Sequence, residues 1–516
     1  MASKNKYWRG FAELEDESLI DRLGEAREFP EGTPTVEFLA EKEQLSNTQT
    51  SRRDFLKFVG FSTAAATLAS CQGPVVKSIP YVIKPENVTP GVPTYYASTL
   101  MNQGDFASVL IKTREGRPIK IEANPAARYF GELTPRVQAS ILSLYNSQRL
   151  KQPIVDEEET DLKTADAKII KGLQQAVATG KQIVIVTPSY PSPSFKAVLR
   201  DFQAKYPTAK QVVFDAFSHS KGLEAYRKYS GLRALPFYDL EKAKLIVSFG
   251  ADFLGDWNGG GYSTAYAKTR QPGADMARHI QVEANMSISG ANADTRIPLQ
   301  PTQVEKVLAE VYKGLTSSTS DKIASAIVKE LKKAGSKALV LADGSEEAIY
   351  LSHSINALVQ SAALTNKTVL TKENNDADFA TFVADLKAGK VGAVVNWNTN
   401  FLYASADAAA IKAGLKNVPL RVSANLLEDE TAEGMNVLVP ATHWLESWAD
   451  ANPITGVYTL TQPAIRPLFE QIRQFEDSLL TWMGGAKTVG TSATAETSSY
   501  VTDRLKTTCA DKTKAI

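Results

Sequence analysis

"KLIVSFGADFLGDWNGGGYS", residues 244–263, begins as an unbroken apolar run and ends in a loop with glycines at 250, 255 and 259–261. A Val/Ile run without polar alternation suits a strand buried on both faces of a parallel sheet. The glycines fall at its carboxyl end, where such sheets collect ligands. Runs of the same kind recur as "QIVIVT" (182–187), "QVVFD" (211–215), "IQVEA" (280–284), "KALVLA" (337–342), "VGAVVNW" (391–397), "LRVSA" (420–424) and "MNVLVPA" (435–441). Helical patterns at Ser194–Lys205, Gln303–Leu315, Ser320–Ala334 and Glu346–Gln360 lie between them. Strand–helix alternation on this scale predicts an α/β protein with two doubly wound lobes, expected at 151–300 and 301–485.

Ahead of these lobes, "YYASTLMNQGDFASVLIKTREGRPIKIEANP" (95–125) reads as a small β-rich domain, expected within 72–150. Its second half alternates as a hairpin, with strands Ser108–Lys112 and Pro118–Glu122 around Glu115-Gly116-Arg117. Between Thr99 and Val109 the alternation fails, and the stretch reads as a loop that has lost something. A proline-spaced segment, 73–93, is expected to be extended. The Ser/Thr-rich residues 486–516 are expected to be a linker or disordered tail.

The bulk composition excludes several classes. The chain has 516 residues and a formal net charge of +1, without the basic surplus that nucleic-acid binding requires. It has only two cysteines, Cys71 and Cys509, and four histidines, His219, His279, His353 and His443. The cysteine count excludes a disulfide framework, a four-cysteine iron–sulfur cluster held by this chain alone, and haem attachment through C-x-x-C-H.

Residues 51–71, "SRRDFLKFVGFSTAAATLASC", resemble an address label. Arg52 and Arg53 precede an apolar run too short to span a bilayer. This is the pattern of a Tat export signal. "LASC" resembles a lipobox and makes Cys71 a lipidation candidate; the other reading is a buried cysteine ending a short helix. The arrangement predicts export and a lipid anchor. An extension of about fifty residues (1–50) precedes the arginines; its Trp8 and Phe11 are spaced to dock on a partner.

Three groups in the body carry possible chemistry. The loop 248–263 and "NWNTNFLYAS" (396–405), with Asn396, Asn398 and Asn400, both follow strands and are candidates to cradle a phosphate or nucleotide, although neither matches a phosphate-loop motif. "ATHWLESWADANP" (441–453) sets His443 three residues before Glu446, with Asp450 beyond; a metal or acid–base pair competes with a structural histidine, and the structural reading is preferred. Asp294 and Arg296 are expected to form a local salt bridge.

The stretches "VLIKTREGRPIKIEANP" (109–125), "QASILSLYNSQRLKQP" (138–153), "IVSFGADFLGDW" (246–257), "SISGANADTRIPLQP" (287–301) and "HWLESWADANPITGVYTLTQPAIRPLF" (443–469) resemble the molybdopterin oxidoreductase superfamily. More closely, they resemble the molybdopterin-enzyme-like part of the B subunit of bacterial alternative complex III, as does the leader "YWRGFAELE" with its internal Tat signal. In catalytic members of that superfamily, cysteines spaced C-x-x-C-x-x-x-C before the hairpin, and a fourth before the "QAS" helix, hold an iron–sulfur cluster. Aligned through the hairpin, those positions are Leu100, Gln103, Ala107 and Thr134, none of which offers a thiolate.

The resemblance therefore implies a lost cluster and no cofactor, catalytic residue or metal ligand in this chain. Catalytic members also carry a further domain beyond the position of Trp482, and the B subunit continues into a ferredoxin-like half; both are expected, if at all, outside this sequence. The implied role is a non-catalytic structural subunit of a quinol-oxidising respiratory complex on the periplasmic face of the bacterial inner membrane. Its implied partners are an iron–sulfur ferredoxin-like subunit or domain, multihaem and monohaem cytochrome c subunits, and quinol-binding membrane subunits. Two other classes stand beside it. One is a residual molybdopterin-dependent oxidoreductase, distinguished by bound molybdenum. The other is an exported solute-binding lipoprotein, distinguished by monomeric behaviour and a filled cleft.

Overall fold

The computed structural model describes residues 89–484, except 90, 103, 104, 256, 260 and 274. Its strands are β1 (Thr94–Asn102), β2 (Asp105–Arg114), β3 (Arg117–Ala123), β4 (Ile154–Val155), β5 (Glu158–Glu159), β6 (Gln182–Thr187), β7 (Ala209–Val213), β8 (Leu235–Tyr238) and β9 (Leu245–Phe249). They continue with β10 (Arg278–Glu283), β11 (Thr295–Pro298), β12 (Ala338–Ala342), β13 (Leu364–Val369), β14 (Val391–Trp397), β15 (Leu420–Ala424), β16 (Val437–Leu438), β17 (Ala449–Ile454) and β18 (Val457–Thr461).

The apolar runs form strands for the reason their composition suggests. In β6, Ile183 and Ile185 point into one core with Leu173, Phe195 and Phe202. Val184 and Val186 point into another with Phe382, Phe401 and Ile411. Helices cover both faces, so both side-chain sets must be apolar. β9 and β12 repeat the arrangement: Val247 and Val340 share one core, Ile246 and Leu341 the other. The helices start where capping chemistry allows. Asp161, Ser192, Asp321 and Ser345 each accept a hydrogen bond from a backbone N–H in the first turn of the helix that follows.

Two parallel sheets result. One has seven strands in the order β5-β4-β16-β15-β14-β6-β7, and the other has four, β11-β10-β9-β12. Within the first, only β4 and β5 run antiparallel to their neighbours. A third sheet, β18-β17-β13-β8, pairs antiparallel. The doubly wound α/β class is as the sequence suggests, but the lobes are not consecutive. β14 pairs with β6 across two hundred residues, and the four-stranded sheet is built from the chain between them. The expected break at 300/301 falls just before helix Pro301–Thr316, which packs Val304, Val307 and Leu308 into the β9–β12 core. The run 435–441 is a strand only at Val437–Leu438.

The segment between Thr99 and Val109 also differs from expectation. It is no loop. β1 and β2 form an antiparallel hairpin in which Leu100 faces Ala107 and Ser98 faces Val109. Polar–apolar alternation is missing because the later part of β1, Ser98–Met101, is buried on both sides. Leu100 enters a core with Val109, Ile111, Ile121, Val137, Leu144, Trp444 and Leu445, while Met101 packs with Ala449 and Ala451 on the opposite side.

Leu100 is 1% exposed and Leu142 is 71% exposed. Leu100→Ala is expected to cost about 2–5 kcal/mol in urea unfolding. Leu142→Ala should stay within about 0.5 kcal/mol of the parent.

Candidate functional site

The carboxyl ends of the two parallel sheets face a common cleft of about 680 Å³. Pro188 follows β6, Asp215 and Phe217 follow β7, Gly250 and Asp252 follow β9, Asp343 follows β12, and Asn398 and Asn400 follow β14; all line it. The two loops singled out in the sequence thus meet at one place. Neither is a bare cradle of amides. In the first, Asp252 presents a carboxylate to the cleft and accepts a hydrogen bond from the Ser289 N–H at 2.8 Å. Gly255 leaves room for that carboxylate, since a Cβ there would lie 2.3 Å from it and displace it. In the second, the asparagines are spent on the fold. Asn396 donates to the Thr399 carbonyl, the Asn398 N–H donates to Asn425, and Asn400 accepts from Thr431 and donates to Glu430.

The cleft also holds residues the sequence reading passed over. Asp105 takes two hydrogen bonds from the Arg136 guanidinium, both 2.8 Å. Asp215 is buried and receives the Ser189 N–H at 2.8 Å and its hydroxyl; burial nevertheless raises its pKa above the ordinary carboxylate value. Lys372 and His219 complete the wall. The available signal was positional: Asp215 and Asp343 each stand within two residues of the end of an apolar run.

The other sequence candidates are structural. His443 and Glu446 form a reciprocal cap on the turn Trp444–Glu446. The Leu445 N–H donates to His443 Nδ1 at 3.2 Å, and the His443 N–H donates to Glu446 at 2.8 Å. Nε2 lies 3.0 Å from the Ser140 carbonyl, which makes it the protonated nitrogen. Burial, reinforced by the nearby Arg149 charge, depresses the His443 pKa to about 3, so the ring is neutral. Glu446 forms a two-pronged, fully buried ion pair with Arg149. Asp450 accepts from the hydroxyls of Ser192 and Ser194. Asp294 and Arg296 do not pair with each other as expected. Each finds a cation or carboxylate elsewhere: Asp294 binds Arg270, and Arg296 binds Glu283.

Of the positions aligned with cluster ligands, Leu100 and Ala107 are cross-strand partners, each 1% exposed. Thr134 caps helix Pro135–Ala139 by accepting from the Val137 N–H. Gln103, Arg52, Arg53 and Cys71 lie outside the described residues. Among the described residues, no group of three or more His, Cys, Asp or Glu side chains is arranged to hold a metal ion.

Comparison with known proteins agrees with the fold. No protein-family model matches the chain. It is 25% identical over 281 residues to the molybdopterin-containing subunit of the arsenate respiratory reductase of Shewanella sp., covering 50% of this chain and 32% of that one. It is 23% identical over 486 residues to the molybdopterin-binding-like subunit of the menaquinone reductase of Nitratidesulfovibrio vulgaris, covering 81% of this chain and 70% of that one. The chain therefore spans about a third of the first relative. Its fold is similar to that of acetylene hydratase from Pelobacter acetylenicus, with a TM-score of 0.58 and 13% identity over 75% of this chain and 69% of the other. By sequence the chain is thus similar to molybdopterin-containing and molybdopterin-binding-like subunits of reductases of the molybdopterin-containing oxidoreductase superfamily, and its fold is similar to that of acetylene hydratase.

Glu476 gives the protein a pH signature. It is buried beside Asp450 and Asp477 in a small cavity that His443 and Gln474 also line. Burial raises its pKa to about 7. The folded state therefore holds this proton more tightly than the unfolded chain. The associated stability is fully present below about pH 4.5 and is lost as pH rises through about 7. Glu476→Gln should flatten the urea-unfolding profile between pH 5 and 8. Separately, Glu446→Gln leaves Arg149 buried without its counter-charge and should cost about 3–5 kcal/mol.

Proposed function

We propose that this chain is a non-catalytic structural subunit of alternative complex III, a membrane respiratory complex that passes electrons from quinol to cytochrome c or an oxidase. The carrying observation is the pairing of Leu100 with Ala107. At two positions aligned with cluster-binding cysteines there is hydrocarbon, packed against Val109, Ile121 and Trp444. A thiolate-held cluster does not fit such a donor set, since its irons need sulfur ligands.

The molybdenum side fits no better. The cleft at the strand ends is lined by Asp105, Asp215, Asp252 and Asp343 against Arg136 and Lys372, and Arg136 is already bound to Asp105. Carboxylates outnumber cations, the reverse of what a phosphate-bearing pterin requires. No step of chemistry is therefore assigned to this chain. The retained scaffold is best used to organise neighbours. The menaquinone reductase relative, described as molybdopterin-binding-like, supports a respiratory setting.

Under this reading the neighbours are an iron–sulfur ferredoxin-like subunit or domain, multihaem and monohaem cytochrome c subunits, and quinol-binding membrane subunits. Among the described residues, no helix is long and apolar enough to cross a membrane. Attachment to the periplasmic face would come from those neighbours and from Cys71, after export through the Arg52–Arg53 signal.

The test is a reduced-minus-oxidised spectrum of the material that co-purifies with the chain in mild detergent. A haem c band together with iron–sulfur signals is expected. A monomer free of haem would contradict the assignment.

A further inference from the structure

The β2–β3 hairpin carries an arrangement that the fold does not need. Its register sets Lys112 opposite Lys120 and Arg114 opposite Arg117, two like-charge pairs in succession. Like charges directly across an antiparallel pair destabilise it. Glu122 serves both lysines, at 3.7 and 3.2 Å, and Glu115 sits in the turn. Four cations thus stand against two carboxylates at one end of a small sheet.

Apolar side chains lie beside this charge. The register shifts between Lys112 and Thr113, leaving Ile119 as the extra residue of a bulge, 49% exposed. The turn of 3₁₀ helix Leu142–Tyr145 brings its first and last side chains onto one face, since that helix has three residues per turn. Both are exposed, and the Tyr145 hydroxyl donates to the Pro118 carbonyl at 2.8 Å, next to Ile119. Tyr95 lies against Lys112 on the neighbouring strand.

β3 lies at an edge of its sheet. Proline, lysine and a bulge are the usual means of protecting an edge from unwanted pairing. That protection accounts for Pro118, Lys120 and the bulge itself. It does not require an isoleucine, a leucine and a tyrosine turned to solvent beside them, nor an arginine opposite an arginine.

We propose that the turn end of this hairpin, together with Ile119, Leu142 and Tyr145, is a docking surface for an acidic segment of a partner protein that also carries apolar or aromatic side chains. Carboxylates of the partner would relieve the Arg114–Arg117 pair and add to Glu122 at the lysine pair, and its apolar groups would cover the three exposed side chains. A protein is favoured over an anionic membrane by the turn itself. A membrane-inserting hairpin leads with apolar residues. Here the apex is Arg114-Glu115-Gly116-Arg117, with a carboxylate that lipid phosphates would repel, and the apolar groups stand on the flank. The inference holds whether or not the chain is part of a respiratory complex.

The test uses the full chain and a fluorescently labelled random glutamate–tyrosine copolymer, read by anisotropy at several salt concentrations. Phosphatidylglycerol vesicles serve as the competing probe. Binding of the copolymer should weaken about tenfold in Arg117→Glu and in Arg114→Glu, and several-fold in Ile119→Ser. The melting temperature of Arg114→Glu should hold or rise, because the change replaces a like-charge pair with an opposite one. Equal binding by the parent and both charge variants would overturn the proposal. So would a preference for the vesicles that the same substitutions abolish, since that would give the surface to lipid.

Discussion

The buried pair between Arg149 and Glu446 holds the small β domain to the rest of the fold. Arg149 donates to both Glu446 oxygens and to the Leu144 carbonyl, while Glu446 also accepts the N–H groups of His443 and Leu468. One ion pair thus fixes the end of the 3₁₀ turn Leu142–Tyr145, the turn Trp444–Glu446 and the chain at Leu468. That geometry delivers Trp444 and Leu445 beneath the three-stranded sheet. Without them the core around Leu100, Ala107 and Ile121 would be open on one side. Two ions buried this completely are tolerable because both Glu446 oxygens and both terminal nitrogens of Arg149 find partners, although the Arg149 Nε has none.

The same core shows how apolar contact alone can hold the β domain together. A metal centre would fold such a domain through its ligand bonds. Here the strands are held by apolar contact. Leu100 and Ala107 face each other, Val137, Ile141 and Leu144 close the core from the helical side, and Trp444 fills the far wall. On the proposed reading, packing does the structural work that ligand bonds do in a cluster-bearing domain.

Much of this was legible in the sequence. Runs such as 182–187, 391–397 and 420–424 named their strands because burial on both faces fills them mainly with β-branched and small apolar residues. The two loops of the cleft were legible as strand ends. What escaped the reading depended on distant chain. β1 hid because Thr99 and Met101 are covered by the β17–β18 hairpin, more than three hundred residues away, so no local alternation survives. The lobe order hid because the pairing of β14 with β6 is invisible until the sheet is assembled. Asp105 and Arg136 reach the cleft from the β domain, which no motif could reveal. The roles of His443 and Glu446 as mutual caps come from backbone geometry that spacing alone does not specify.

The central claim is that this scaffold has kept its architecture and given up its metal chemistry. The most direct measurement is the iron and molybdenum content of the chain after separation from its partners under non-denaturing conditions, by plasma mass spectrometry against protein concentration. The expected result is far below one atom of either metal per chain. Molybdenum near one atom per chain, surviving the separation, would contradict the claim and return the cleft between the sheets to catalysis.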